Sequence, residues 1–386
     1  MTEHDTIIAT GNVRWISLDS FFVVRRLVRH HRPWRVAALC GIILLAVHSL
    51  AIARMPIVGK ATLTSESAAT GLNSKFHELM ARVDGPAWVG YEIPSIRGYR
   101  MHCGQPEDHD CLCYLEREHE SFSQTMSADS DLAGPSPSAL VLYRIDRQRV
   151  DRIRCFSADC SIDAGRRPVF WLTDVRPAES IALLESLIEP AAGRGDDDNV
   201  GESAVMVIAI HADPGSFSSL EKLAGPARPE SVRKQAVFWL GQINDPRTLA
   251  VLDRVFRSDP SGEVREQVVF ALSCSDLSGA LDALIRIAHD DNDPDIRKNA
   301  LFWLGNKAGE KSVGAIRDAV ESDPDTDVKE AAVFALSQLP KDRGVPLLID
   351  VAKTHHNAKI REQAIFWLGQ SGDSRALEFF EEVLTH

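Results

Sequence analysis

The chain holds 386 residues, enough for two or three domains, and its 44% hydrophobic and 25% charged residues exclude wholesale disorder. Its formal net charge of −12 is unevenly spread, with +4 on residues 1–54 and −16 on the rest. An acidic body repels phosphate backbones and lacks a basic stripe, so nucleic acid is not an expected partner.

Residues 1–35 read as a basic cytoplasmic tail. From Val36 to Ala53 the chain carries no formal charge, and as a helix at ~1.5 Å per residue this stretch spans about 27 Å, close to a hydrocarbon core of ~30 Å. Five Arg between Arg25 and Arg35 precede it and Arg54 alone follows closely, which orients the N-terminus toward the cytoplasm. Residues 36–54 are therefore expected to form a transmembrane or signal helix, and Ala51-Ile-Ala53 fits a small-x-small cleavage pattern. The body that follows is expected outside the cytoplasm: periplasmic and held to the cell membrane by that helix, or secreted if residues 1–53 are removed.

Residues 55–85 show no strong period and read as a linker, with a short amphipathic helix from Asn73 to Val83. Residues 86–172 read as a β-rich module. Trp88 to Pro94 is a strand bounded by prolines, and Ala139–Asp146 with Arg149–Phe156 forms a hairpin across a short polar turn. Five of the seven cysteines cluster here: Cys103, Cys111, Cys113, Cys155 and Cys160. In an oxidising compartment such clustering signals disulfides, and an odd number leaves one thiol over. His102, Cys103, His109, Cys111 and Cys113 also form a set of imidazoles and thiolates of the kind that holds a soft metal. Because Cys-x-Cys is not the usual zinc-knuckle spacing, disulfides are the preferred reading and no cofactor is expected.

Residues 173–386 read as an α-solenoid with five clear repeats from residue 231. Phe238-Trp-Leu-Gly241, Phe270-Ala-Leu-Ser273, Phe302-Trp-Leu-Gly305, Phe334-Ala-Leu-Ser337 and Phe366-Trp-Leu-Gly369 recur every 32 residues. Five residues before each Phe stands a base: Arg233, Arg265, Arg297, Lys329, Arg361. A second apolar run follows each block at helical spacing, so each unit is helix A, turn, helix B, turn. Asp259-Pro260, Asp293-Pro294 and Asp323-Pro324 are expected to start the next helix, Asp as cap and Pro in the first turn. A single such pair cannot bury its apolar faces, so the units must stack. Ala204–Ala209 looks like a degenerate earlier unit, and Val169–Leu172 followed by Ile181–Leu184 like another. The whole is class α+β: an N-terminal transmembrane or signal helix, a small β-rich module and an all-α solenoid.

Residues 200–386 resemble the HEAT repeat family, in particular the short HEAT-like repeats of the phycobilisome-lyase type. The resemblance implies an acid in each inter-repeat turn, paired with the base six residues later: Asp259 with Arg265, Asp291 with Arg297, Asp323 with Lys329. Ala227 and His355 break that ladder at its two ends. It also implies that helix B lines the concave side. HEAT-like enzymes of the deoxyhypusine hydroxylase type carry iron-binding His-Glu pairs inside their repeats, whereas here His77-Glu78 and His119-Glu120 both precede the solenoid.

The Trp/Ala alternation of Trp239, Ala271, Trp303, Ala335 and Trp367 gives a 64-residue super-period. It reads first as interdigitating packing and second as a row of indole anchors at Trp239, Trp303 and Trp367. The functional expectation is a scaffold that binds a protein partner. The alternative is an enzyme or redox or metal protein that uses the Cys/His cluster. Neither a Ser-His-Asp signature nor a phosphate-cradling Gly loop is recognisable.

Overall fold

The computed structural model describes residues 56–96, 99–103, 112–116, 122–126, 138–188, 200–307 and 309–385. The apolar segment 36–53, His109, Cys111 and the His102 side chain lie outside that description. Among the described residues no helix is long and apolar enough to cross a membrane.

The module contains β1 (Ile57–Val58), β2 (Leu63–Ser67), α1 (Leu72–Arg82), β3 (Ala87–Pro94), β4 (Tyr99–Cys103), β5 (Leu112–Tyr114), β6 (Phe122–Met126), β7 (Ser138–Asp146), β8 (Arg149–Ser157), β9 (Ser161–Asp163), β10 (Val169–Thr173) and α2 (Pro177–Leu187). Its main sheet runs β2-β10-β3-β7-β8, with β10 parallel to both β2 and β3 and the other pairs antiparallel. A three-stranded parallel sheet, β1-β9-β5, and the antiparallel pair β4-β6 complete it. The β7–β8 hairpin turns on Arg147 and Gln148, at φ 50° and 59°. Two left-handed residues in succession match the right-handed twist of the flanking strands.

Two expectations fail here. Residues 55–85 are not a linker, because β1, β2 and α1 belong to the sheets and their core, with Leu72, Phe76 and Leu79 buried. Val169–Leu172 is not a repeat block but β10, the strand between β2 and β3. A parallel strand covered on both faces is a continuous apolar run, and over four residues it cannot be told from a buried helix by periodicity.

The helical part begins with α3 (Val200–Ile210) and α4 (Gly215–Leu223), the degenerate unit. Five A/B pairs follow: α5 (Glu230–Gln242) and α6 (Arg247–Ser258), α7 (Gly262–Cys274) and α8 (Ala280–Asp290), α9 (Pro294–Lys307) and α10 (Glu310–Ser322), α11 (Thr326–Gln338) and α12 (Lys341–Thr354), α13 (Ala358–Ser371) and α14 (Ser374–Thr385). The caps differ from expectation. Ser261 and Asp325 accept the first-turn amides of α7 and α11, while Asp259 and Asp323, two residues earlier, are left for another task. Asp293 alone keeps the capping position, accepting from the Asp295 amide. The module and the first helical units share one continuous apolar core that reaches α8.

Candidate functional site

A buried polar chain ties module to repeats. Tyr91 on β3 and Tyr143 on β7 are diagonal neighbours on one sheet face, their hydroxyls 2.5 Å apart. The Tyr91 hydroxyl lies 2.8 Å from Ser180 Oγ on α2, which lies 2.9 Å from His211 Nε2 just after α3. His211 Nδ1 faces the Val207 carbonyl at 2.6 Å. A carbonyl only accepts, so Nδ1 carries the proton and Nε2 accepts from Ser180. Ser180 then accepts from Tyr91, and Tyr91 from Tyr143, so every donor in the chain has one direction. Burial pushes His211 down to about 4, against the pull of the Val207 carbonyl, and raises both tyrosines. A Ser–His pair invites a catalytic reading, but Ser180 and His211 are buried, at 0% and 1% exposure. No spacing in the sequence marks these four residues; four sequence-distant segments bring them together.

The acid–base ladder exists in a different register from the expected one. Arg233 donates through Nε and Nη2 to Asp259, at 2.7 and 3.0 Å, and Arg297 does the same to Asp323, at 2.8 and 2.9 Å. Each base pairs with the acid 26 residues ahead; Arg297 does so although Asp291 stands six before it, and Arg233 has Ala227 there. The preceding turn receives only a backbone bond, as from Arg297 Nη1 to the Asp291 carbonyl. The cause is direction: the base stands on the first turn of an A helix, and the next turn of the stack lies beside it. Arg265 is looser, 3.8 Å from Asp291 and 2.9 Å from Asp293. Lys329 bonds the Glu321 carbonyl, and His355 stands where its acid would be.

The junctions between A helices therefore alternate, and the aromatic residues follow the same beat. Gly241 lies so close to α7 that a Cβ there would sit 2.7 Å from the Ala271 Cβ; Gly305 would place one 2.9 Å from the Ala335 carbonyl oxygen. In these tight junctions Phe238 stacks on Phe270 and Phe302 on Phe334, ring planes 7° apart in both. In the other junctions a Trp fills the wider gap, Trp303 against Phe270 and Trp367 against Phe334, at 4.9 and 5.0 Å. Trp239 is buried and Trp303 and Trp367 are half-buried, so the indoles fill space between helices. The 64-residue super-period is thus one tight and one Trp-filled junction.

The B helices leave clefts between them. One, of about 520 Å³, opens between α6 and α8, and Val268 and Leu272 of α7 form its floor. Leu249, Phe256 and Ile287 line its walls, with Asp253, Arg257, Arg286 and Asp290 around the mouth. A second, of about 350 Å³, lies between α8 and α10 and shares Arg286 and Asp290 with the first. Together they make one groove across three B helices, apolar inside and charged of both signs at the rim. Sequence periodicity marks the apolar B-helix residues but not how far apart neighbouring B helices stand.

Cys103 and Cys113 are joined in a disulfide and Cys160 is also disulfide-bonded, whereas Cys155 is a free, buried thiol. The bond removes Cys103 and Cys113 as thiolate ligands from the metal set drawn from the sequence. Among the described residues no group of three His, Cys, Asp or Glu is placed to hold a metal.

HEAT repeats match residues 183–273, 220–305, 281–365 and 313–386, more than half of the chain. Among solved structures, human deoxyhypusine hydroxylase with glycerol is similar at 19% identity, over 53% of this chain and 77% of that one, with a TM-score of 0.24. The CpcE–CpcF complex of the Nostoc phycocyanin lyase is similar at 19%, over 54% and 81%, with a TM-score of 0.30. The Cnd3–Cnd2 subcomplex of S. pombe condensin is similar at 20%, over 52% and 28%, with a TM-score of 0.32. No curated protein sequence matches the chain. At these scores the structural likenesses carry no argument about activity, and what the repeat match establishes is membership: the chain belongs to the HEAT-repeat family.

Proposed function

We propose that the protein is a HEAT-repeat scaffold that holds a protein partner in the groove crossing α6, α8 and α10, in a compartment outside the cytoplasm. The observation that carries this is the cleft between α6 and α8, with its Leu249, Phe256, Val268, Leu272 and Ile287 lining and its charged mouth. Apolar anchors seat in such a floor and a polar rim orients them, which is how most interfaces divide their energy. The Arg-flanked apolar segment 36–53 supports a membrane-anchored or exported chain, and a Cys103–Cys113 disulfide suits an oxidising compartment.

A photo-crosslinking residue at Ala283, inside the cleft, tests the binding reading in the native cell. One defined polypeptide should be captured there and none from Gly314 on α10, outside the clefts; equal capture at both positions refutes it. Reporter fusions after residue 54 test the location, since a periplasm-dependent reporter must be active and a cytoplasm-dependent one silent.

A further inference from the structure

We propose that α13 docks a helix of another HEAT-type polypeptide, one that carries an Asp eleven residues before a Phe-Ala pair. The two tight junctions define that chemistry. Each joins an A helix bearing Arg, Phe and Gly to an A helix preceded by Asp and bearing Phe and Ala. Arg233, Phe238 and Gly241 meet Asp259, Phe270 and Ala271; Arg297, Phe302 and Gly305 meet Asp323, Phe334 and Ala335.

α13 presents the same first half a third time, as Arg361, Phe366 and Gly369, and nothing in the described chain completes it. Arg361 bonds only the His355 and His356 carbonyls and, among the described residues, has no carboxylate partner. A Cβ at Gly369 would meet no atom within 4 Å. Phe366 touches Trp367 of its own helix and, among the described residues, has no parallel ring across from it. Ile365 is 40% exposed, where Val237 and Leu301 at the same position are 0% exposed. The bare surface continues onto α14, where Leu384 is 85% exposed against 1% for Val320, its counterpart on α10.

The surface is therefore the mould of a known interface, and each part asks something of the occupant. Arg361 asks for a carboxylate, because its two counterparts are held by buried ones. Gly369 asks for a side chain no larger than Ala, because a close backbone approach leaves room for nothing more. Phe366 asks for a ring parallel to its own. Spacing fixes these along one helix, eleven residues from Asp to Phe and the Ala immediately after. The two segments of the given sequence that meet the requirement, Asp259–Ala271 and Asp323–Ala335, are already engaged with Arg233 and Arg297, so neither fills this surface. This surface is separate from the B-helix groove.

The probe is a fluorescent peptide with the sequence of residues 322–339, titrated against the full chain and followed by anisotropy. Saturable binding is expected. It should weaken about tenfold or more with Gly369→Trp or Arg361→Gln in the protein, and with Asp323→Asn or Ala335→Trp in the peptide. Because Gly369 faces open space, the Gly369→Trp protein should keep its helix content and melting temperature, and Arg361→Gln tests the same face without added bulk. Absence of binding, or binding indifferent to all four changes, overturns the proposal. So does a dimer of the full chain in sedimentation velocity that Gly369→Trp dissolves, since a second copy would then be the occupant.

Discussion

Arg233 reaches forward along the stack and grips Asp259 with two nitrogens, both side chains almost wholly removed from water. Asp259 also accepts the Ser261 amide, so one carboxylate closes the turn and ties two units together. Breaking such a pair strands a buried charge, which costs about 3–5 kcal/mol. Asp259→Ala should lower the unfolding free energy by that amount in urea titration. The double change Arg233→Met with Asp259→Leu should recover most of it, because it leaves no charge unpaired. At the looser junction Asp291→Ala should cost clearly less, since Arg265 keeps Asp293 at 2.9 Å and its side chain is a quarter exposed.

The same four-letter block should answer a single methyl group in opposite ways. Gly241→Ala places a Cβ 2.7 Å from that of Ala271 and must push α5 and α7 apart, at a cost of about 1–3 kcal/mol. Gly369→Ala meets nothing and gains only helix propensity, about 0.5–1 kcal/mol of stabilisation. Thermal melts of the two variants check the contrast. Equal effects would show that the tight junction is not where the Gly–Ala contact places it.

Much of this was legible in the chain. The phenylalanine interval, the base five residues before it and the Trp/Ala alternation led to the helical pairs, their stacking and the two-unit beat. The ladder's register was not legible, because Asp259 stands six residues from Arg265 and 26 from Arg233, and the family resemblance implied the nearer pair. Nor was β10, whose Val-Phe-Trp-Leu mimics the repeat block because a four-residue apolar run is too short for its period to show. The Tyr–Tyr–Ser–His chain left no trace in the sequence, since hydrogen bonds between segments 31 to 89 residues apart have no local period.

His211 predicts a pH dependence with a definite sign. Its folded value of about 4 lies below the ordinary 6.5, so the unfolded chain binds the proton more readily. Stability is full above pH 6.5, falls as pH drops through the window from 6.5 to 4, and loses no more from this group below that. The loss amounts to about 3 kcal/mol at ~1.4 kcal/mol per pH unit. Urea titrations across that range should show a shallower fall in His211→Gln than in the unaltered protein, although the variant is less stable at neutral pH. Identical slopes would contradict the buried neutral imidazole.

The two free thiols among the described residues should separate by accessibility. Burial pushes Cys155 up to about 12 and hides it, whereas Cys274 is exposed. Only the thiolate attacks an alkylating reagent. Peptide mapping after brief iodoacetamide treatment should find Cys274 labelled in the native protein and Cys155 labelled only in denaturant. Native labelling of Cys155 would place it outside the core.

A protein partner held in the groove across α6, α8 and α10 must be displaced when the cleft is filled. Ala283→Trp fills it, and the variant is compared with the unaltered protein for recovery of the polypeptide crosslinked at that surface, here from a crosslinker at Ala250. Recovery should fall about tenfold or more while the melting temperature stays within a few degrees. Undiminished recovery from a folded Ala283→Trp protein would contradict the claim.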